Sequence, residues 1–361
     1  MLYRFDGGSG KFPDASLLAG AGGSLYGTTI YGGTRGLGTV FKIDKSGSET
    51  VLHSFTGADG EYLYGSLIED PAGNLYGTTE QGGAGGRGTV FELSASGAET
   101  TVYSFMAGPD GGQPDAGLVR DPAGNLYGTT GTGGLFIYYG TVFELDTNAK
   151  ETTLHNFDGG DGAFPQASLV RDADGNLYGT TYEGGAFNWG FVFRLSAGGQ
   201  EIALHSFTGG LDGAFPVASL LRDTAGRLYG TAEGGGAFGL GVVFKLSATG
   251  TETVLHSFAG PPDGDFPTAG LVRDAAGNLY GTTYYGGTSS NCPGGCGTVF
   301  KIDVTGAETV LYSFTGAPDG AHPEGGLVQD RAGNLYGTTI AGGFSSGGCP
   351  DCGTVFELSP Q

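Results

Sequence analysis

The chain has 361 residues, 37 acidic against 16 basic side chains and a net charge of −21, which makes phosphate backbones and anionic membranes poor partners. No apolar run approaches the roughly 20 residues of a membrane-spanning helix, so no membrane span is expected. Its 76 Gly show no Gly-X-Y period, which excludes collagen, and 18 Tyr with 23 Phe in short alternating runs argue against disorder.

The first residues, Leu2-Tyr3-Arg4-Phe5, read as the outermost strand of a repeat whose other strands are missing, not as a leader. From there one pattern recurs. A segment of the form Asn-Leu-Tyr-Gly-Thr-Thr begins at Ser24, Asn74, Asn125, Asn176, Arg227, Asn278 and Asn334, at offsets of 50, 51, 51, 51, 51 and 56 residues. A unit of this length cannot bury a core alone, so the copies stack.

The second copy shows the elements. Gly65 to Asp70 reads as a short strand and Pro71-Ala72-Gly73 as a turn, followed by a strand from Asn74 to Thr79. A glycine-rich loop runs from Glu80 to Arg87, Gly88 to Leu93 alternates as a third strand, and Glu99 to Phe105 forms the outermost one. Period-2 alternation, β-branched and aromatic residues, and Gly at each turn support every element; nothing has helical periodicity. The last copy ends with its third strand, Gly353 to Leu358, so the N-terminal strand is expected to supply its fourth. The expected fold is all-β: one domain over 1–361, a seven-bladed β-propeller with four antiparallel strands per blade. The blades centre on second strands at 24–29, 74–79, 125–130, 176–181, 227–232, 278–283 and 334–339, and the N-terminal strand closes the ring.

The succession Gly-Asn-Leu-Tyr-Gly-Thr-Thr, Gly-Gly and Gly-Thr-Val-Phe-Lys/Glu-Leu resembles the Gloeobacter/Verrucomicrobium (GloVer) tandem repeat over essentially the whole chain. More distantly the blade is similar to NHL-type propeller repeats. The resemblance implies secreted or surface-anchored bacterial proteins, often ending in a sorting segment, which the final Pro360-Gln361 does not provide. It carries no catalytic residues.

Four cysteines fall in matching loops as Cys292/Cys296 and Cys349/Cys352. Two local disulfides are the first reading, with cross-links between the loops, a four-thiolate zinc site or a redox role for Cys349-Pro350-Asp351-Cys352 as alternatives. No cofactor is expected; Ca²⁺ or Zn²⁺ is not favoured.

In each blade the loop between strands two and three and the connection to the next blade are long and share one face, where binding groups are expected around the channel mouth. Asp-Gly recurs in the connections at Asp59, Asp110, Asp161, Asp212, Asp263 and Asp319, with Ser9-Gly10 in the first copy. Two readings stand: a ring of cation-binding carboxylates at the mouth, or Asp capping its own turn, which sixfold recurrence favours. His53, His155, His205 and His256 share an outer-strand position with Tyr3, Tyr103 and Tyr312, so they read as packing aromatics rather than metal ligands or bases.

Candidates for chemistry are the residues that break the pattern. His322 stands where other copies carry Phe, and Glu80, Glu183 and Glu233 follow second strands; these four are the candidate acids and bases. Candidate ligand contacts are Tyr31, Arg35, Arg87, Tyr138, Tyr139, Tyr182, Trp189, Tyr284 and Tyr285, with Phe136, Ile137, Phe187, Phe238 and Phe344 in the same loops. Rings interleaved with carboxylates suit a carbohydrate, since pyranose faces stack on rings while hydroxyls bond to carboxylates. The leading expectation is a secreted propeller that binds a carbohydrate. The alternatives are a glycoside hydrolase or lyase on the same face, the lyase with Lys11, Arg35 or Arg87 neutralising a uronate, and a structural or adhesive surface protein. A closed acidic ring favours a monomer.

Overall fold

The computed structural model describes residues 1–343, 349 and 351–359. Phe344, one of the loop aromatics singled out above, and the terminal Pro360-Gln361 lie outside the described residues.

Seven four-stranded antiparallel sheets follow one another around a ring. The first blade comprises Leu18–Ala19, Leu25–Thr29, Thr39–Ile43 and Glu49–Ser54, and the pattern recurs through the sixth. In the seventh, Val328–Gln329, Leu335–Thr339 and Thr354–Leu358 are completed by the N-terminal Tyr3–Arg4, with Tyr3 opposite Val355 and Arg4 opposite Thr354. The ring is therefore closed by its first strand. No helix among the described residues is long and apolar enough to cross a membrane.

The blades are held together at their seams. A Phe at the end of each outer strand meets a Phe of the next blade's third strand edge to face, from Phe5–Phe41 at 5.0 Å to Phe157–Phe193 at 5.2 Å. These rings are buried, and each apolar cluster straddles two blades, as where Phe207 of the fourth packs with Leu220 and Phe244 of the fifth. The alternation of the second and third strands sends one face into each seam, so the core is a set of seven interfaces. The second-strand tyrosines join them: Tyr76 packs against the cluster of Leu118, Leu126 and Phe143.

The innermost strands are shorter than the sequence suggests. Only Ile68–Glu69 of the Gly65–Asp70 stretch pairs in the second blade. The preceding residues turn along the channel, where the Thr28 hydroxyl of the first blade donates to the Gly65 carbonyl at 3.3 Å. Thr78 does the same to Ala116 at 2.8 Å, and Thr338 to Ala15 across the ring closure at 3.4 Å. The second threonine of the Leu-Tyr-Gly-Thr-Thr segment ties its strand to the third strand of the same blade: the Thr29 and Thr39 hydroxyls lie 2.8 Å apart. Cys292–Cys296 and Cys349–Cys352 are both disulfides, as the local reading expects, and no cysteine is free.

Candidate functional site

Each connection between blades runs inward and stops at the channel through one unusual backbone position. Phe12, Tyr62, Gln113, Phe164, Phe215, Phe266 and His322 all have φ between 54° and 61°, a region that costs a side-chain-bearing residue of order 1–3 kcal/mol. Their carbonyls accept from the residue that follows the second strand, as in Glu80 N to Tyr62 O at 2.9 Å and Glu233 N to Phe215 O at 3.2 Å. Two rings of side chains are thereby aimed at the axis. The residue two places after the strained position is Asp14, Tyr64, Asp115, Gln166, Val217, Thr268 and Glu324 in turn; the residue after the second strand gives Glu80, Tyr182 and Glu233.

These ten side chains, with small residues such as Ser16, Ser66, Ala167 and Gly270, enclose a cavity of about 610 Å³ at the long-loop end of the channel. Five carboxyl groups line it, and none of the described lining residues is Lys or Arg. Burial pushes the Asp115 carboxyl up to about 8, reinforced by the charge of Glu80. Its Oδ1 has no hydrogen-bond partner, and Gly131 leaves it room, since a Cβ there would lie 3.1 Å from Asp115 Oδ2. Asp14 and Glu324 hydrogen-bond to each other across the ring closure. Burial and the charge of its neighbour raise Asp14 well above the usual carboxylate range, and burial raises Glu324. One proton shared by this pair relieves the repulsion. Glu233 is raised by burial and held back by the Tyr182 hydroxyl, which donates to it at 3.0 Å. Glu80 Oε1 accepts from Gln113 Nε2 at 3.1 Å.

The sequence candidates divide. Glu80, Glu233 and Tyr182 line the cavity; Glu183, His322, Arg35 and Arg87 do not. Glu183 pairs its backbone with Ala163 and, as the residue after Tyr182 in an extended segment, sends its side chain to the other side. His322 stacks on Tyr284 at 4.5 Å, meets Tyr285 edge to face, and bonds the Tyr284 carbonyl through Nδ1 at 3.0 Å. Arg35 and Arg87 are exposed in their loops, and Lys11 sits over its neighbour Phe12 at 4.4 Å. Tyr31 contacts Phe12 and Tyr62 edge to face. Tyr139 packs down on the fourth-blade core, whereas Phe136, Ile137, Tyr138, Phe187 and Phe238 are exposed. Trp189 does both. It is 41% exposed, yet packs on Phe215, which stacks on Tyr182, so an aromatic path leads from the rim to the cavity.

The Asp-Gly aspartates are not at the mouth. Asp59 accepts from the Thr56 amide and hydroxyl at 2.8 Å and faces His53 Nε2 at 2.8 Å on the outer strand. Despite burial, these contacts hold its carboxyl below the usual range. His155 pairs with Asp161 and His256 with Asp263, while Tyr103 and Tyr312 donate to Asp110 and Asp319 at 3.1 and 2.6 Å. The turn-capping reading therefore accounts for them, and a cation ring at the channel mouth does not.

Asp14, Tyr64, Asp115, Gln166, Thr268 and Glu324 were not among the sequence candidates. A signal for them exists: the position after the proline found in six of the seven connections (Leu63 in the second) changes type in nearly every copy, while the residue that follows is always Ala or Gly. Variation against a fixed repeat marks candidate positions here as it does in the loops.

The family model described as Gloeobacter/Verrucomicrobia repeat matches residues 1–138 and 118–356. No curated protein sequence matches the chain. Among solved structures, the extracellular domain of a B. thetaiotaomicron one-component system protein is 12% identical, with a TM-score of 0.59 over 98% of this chain and 40% of that one. A puromycin hydrolase is 13% identical, with a TM-score of 0.60 over 99% and 54%. A Bacteroides uniformis protein described as a candidate 6-phosphogluconolactonase is 14% identical, with a TM-score of 0.54 over 87% and 88%. The chain spans about half or less of the first two. At such identities each likeness is one of propeller fold.

Proposed function

The chain belongs to the Gloeobacter/Verrucomicrobia repeat family, and we propose that it is an extracellular, monomeric propeller that binds a carbohydrate at the acid-lined mouth of its channel. The observation that carries this reading is the composition of the cavity wall. Five carboxyl groups, two Tyr, Gln166, Thr268 and several Ser face one space with no described cation among them. Carboxylates accept from hydroxyl groups and repel anions, so neutral polyhydroxylated molecules fit, and phosphates or uronates do not. A lyase acting on a uronate loses support for the same reason, because Lys11, Arg35 and Arg87 lie outside the cavity. The two disulfides and the likeness to an extracellular domain support the compartment. Closure of the ring, which covers the edge of Thr354–Leu358 and leaves only the two-residue Tyr3–Arg4 strand outermost in the seventh blade, supports the monomer.

A glycoside hydrolase is the second reading, favoured by Asp115. A carboxyl that keeps its proton to about pH 8 is a donor for a leaving oxygen, with Glu80 or Glu233 as the opposing carboxylate. Retention of the full chain on a panel of neutral and uronic polysaccharides tests both readings. A neutral polysaccharide should retard the protein, and Glu80→Gln/Glu233→Gln should weaken retention about tenfold, the worth of one hydrogen bond to a charged group. Release of reducing ends identifies the hydrolase. Absence of retention, or retention untouched by the double variant, removes the site from consideration.

A further inference from the structure

The seams between blades hold a second kind of polar cluster, remote from the channel. Each outer strand begins with Glu in the first six blades: Glu49, Glu99, Glu151, Glu201, Glu252 and Glu308. From the second blade on, that Glu reaches back to the Asp-Gly turn of the preceding blade. A histidine joins the group at four seams, and at two of them the ligand atoms draw close together. His53, Asp59 and Glu99, and likewise His256, Asp263 and Glu308, each offer one ligand atom, all within 4.8 Å of one another.

The geometry points to these two seams as binding sites for a first-row divalent cation such as Zn²⁺, held by one imidazole and two carboxylates from adjacent blades. In the second of them, His256 Nε2 lies 3.1 Å from Asp263 Oδ2, and both side chains are 19% exposed. Glu308 Oε1 is buried there with no hydrogen-bond donor. Two carboxylates facing each other in a partly dry seam repel, and an unpartnered buried oxygen is costly, so a cation held between them would offset both. Ligand atoms on a tetrahedral zinc are about 3.3 Å apart, a spacing reached here by small side-chain rotations. The nitrogen and the low ligand count favour zinc over calcium, which takes six to eight oxygens. An ion at this place would staple the outer edges of two blades.

The repeat provides its own control. Where Tyr replaces His, the hydroxyl keeps the aspartate contact, as Tyr103 does with Asp110 and Tyr312 with Asp319, but brings no metal-binding nitrogen. His53→Tyr/His256→Tyr should therefore fold. Zinc titration of the chelator-treated full chain by calorimetry should show two equivalents bound and a melting temperature raised by zinc. The double variant should lose both effects, with affinity falling at least tenfold, and Glu308→Gln should lose one equivalent only. No uptake at micromolar zinc would overturn the assignment, and would mean that a proton shared by the carboxylates relieves the repulsion instead. Uptake unchanged in the double variant and in Glu308→Gln would also overturn it, placing the ion on other acidic groups.

Discussion

The Tyr182 hydroxyl donates to Glu233 at 3.0 Å across the boundary between the fourth and fifth blades. Burial pushes the Glu233 carboxyl up and this donor holds it down. Tyr182→Phe should raise the Glu233 pKa further, measured by carboxyl NMR titration. It should destabilise the fold by about 1–2 kcal/mol where Glu233 is ionised, and by less at pH 4, where the carboxyl is protonated. An unchanged titration would show that the hydroxyl does not govern Glu233.

Asp115 makes stability depend on pH in a definite direction. Its folded pKa of about 8 lies above the unfolded value of roughly 3.9. Its contribution is therefore fully present below pH about 4 and is lost as pH rises through 8, at up to about 1.4 kcal/mol per pH unit. Thermal melts from pH 5 to pH 8 should fall more steeply for the native chain than for Asp115→Asn. Equal slopes would mean that Asp115 titrates as an ordinary carboxylate.

Glu252 carries the same logic at a seam without a closed metal triad. Burial first, and then the charge of Asp212, push its carboxyl up to about 7, and its Oε1 has no donor. Glu252→Gln should raise the melting temperature at pH 8, where the native carboxyl is ionised, and change it little at pH 5. A loss of stability at pH 8 would show that the charge is instead compensated.

The Cys349–Cys352 bridge packs with Phe5, Tyr3 and Val355 in the cluster that seals the ring. A bridge across so few residues removes little chain entropy, so Cys349→Ser/Cys352→Ser should cost roughly 2 kcal/mol in chemical denaturation. A much larger loss would assign the bridge a role in closing the ring.

The fold was legible because each strand carries its own signature and each copy repeats it. Gly77 is tight enough that a Cβ would come within 2.7 Å of Phe91, which is why glycine holds the centre of the Leu-Tyr-Gly-Thr-Thr segment. The cavity was half legible. Glu80, Tyr182 and Glu233 stand out because they interrupt a constant segment, whereas Asp14, Asp115 and Glu324 follow a recurring proline and read as scaffold. Radial position decides between them, and a sequence does not encode radius locally. The seam clusters were hidden for a related reason. His53 and Glu99 are 46 positions apart and meet only because consecutive blades pack face to face.

Completion of the seventh blade by Tyr3–Arg4 also orders the events of folding. Of the strands of this ring, Tyr3–Arg4 is made before all others and its partner Thr354–Leu358 after all others, so the ring cannot close until all seven repeats have left the ribosome. Blades one to six pair strands close in sequence and can assemble as they emerge, whereas the seventh waits on a contact of maximal sequence separation. Until that contact forms, Thr354–Leu358 presents an unpaired edge to other chains, and the interval before closure is when this protein is most open to aggregation.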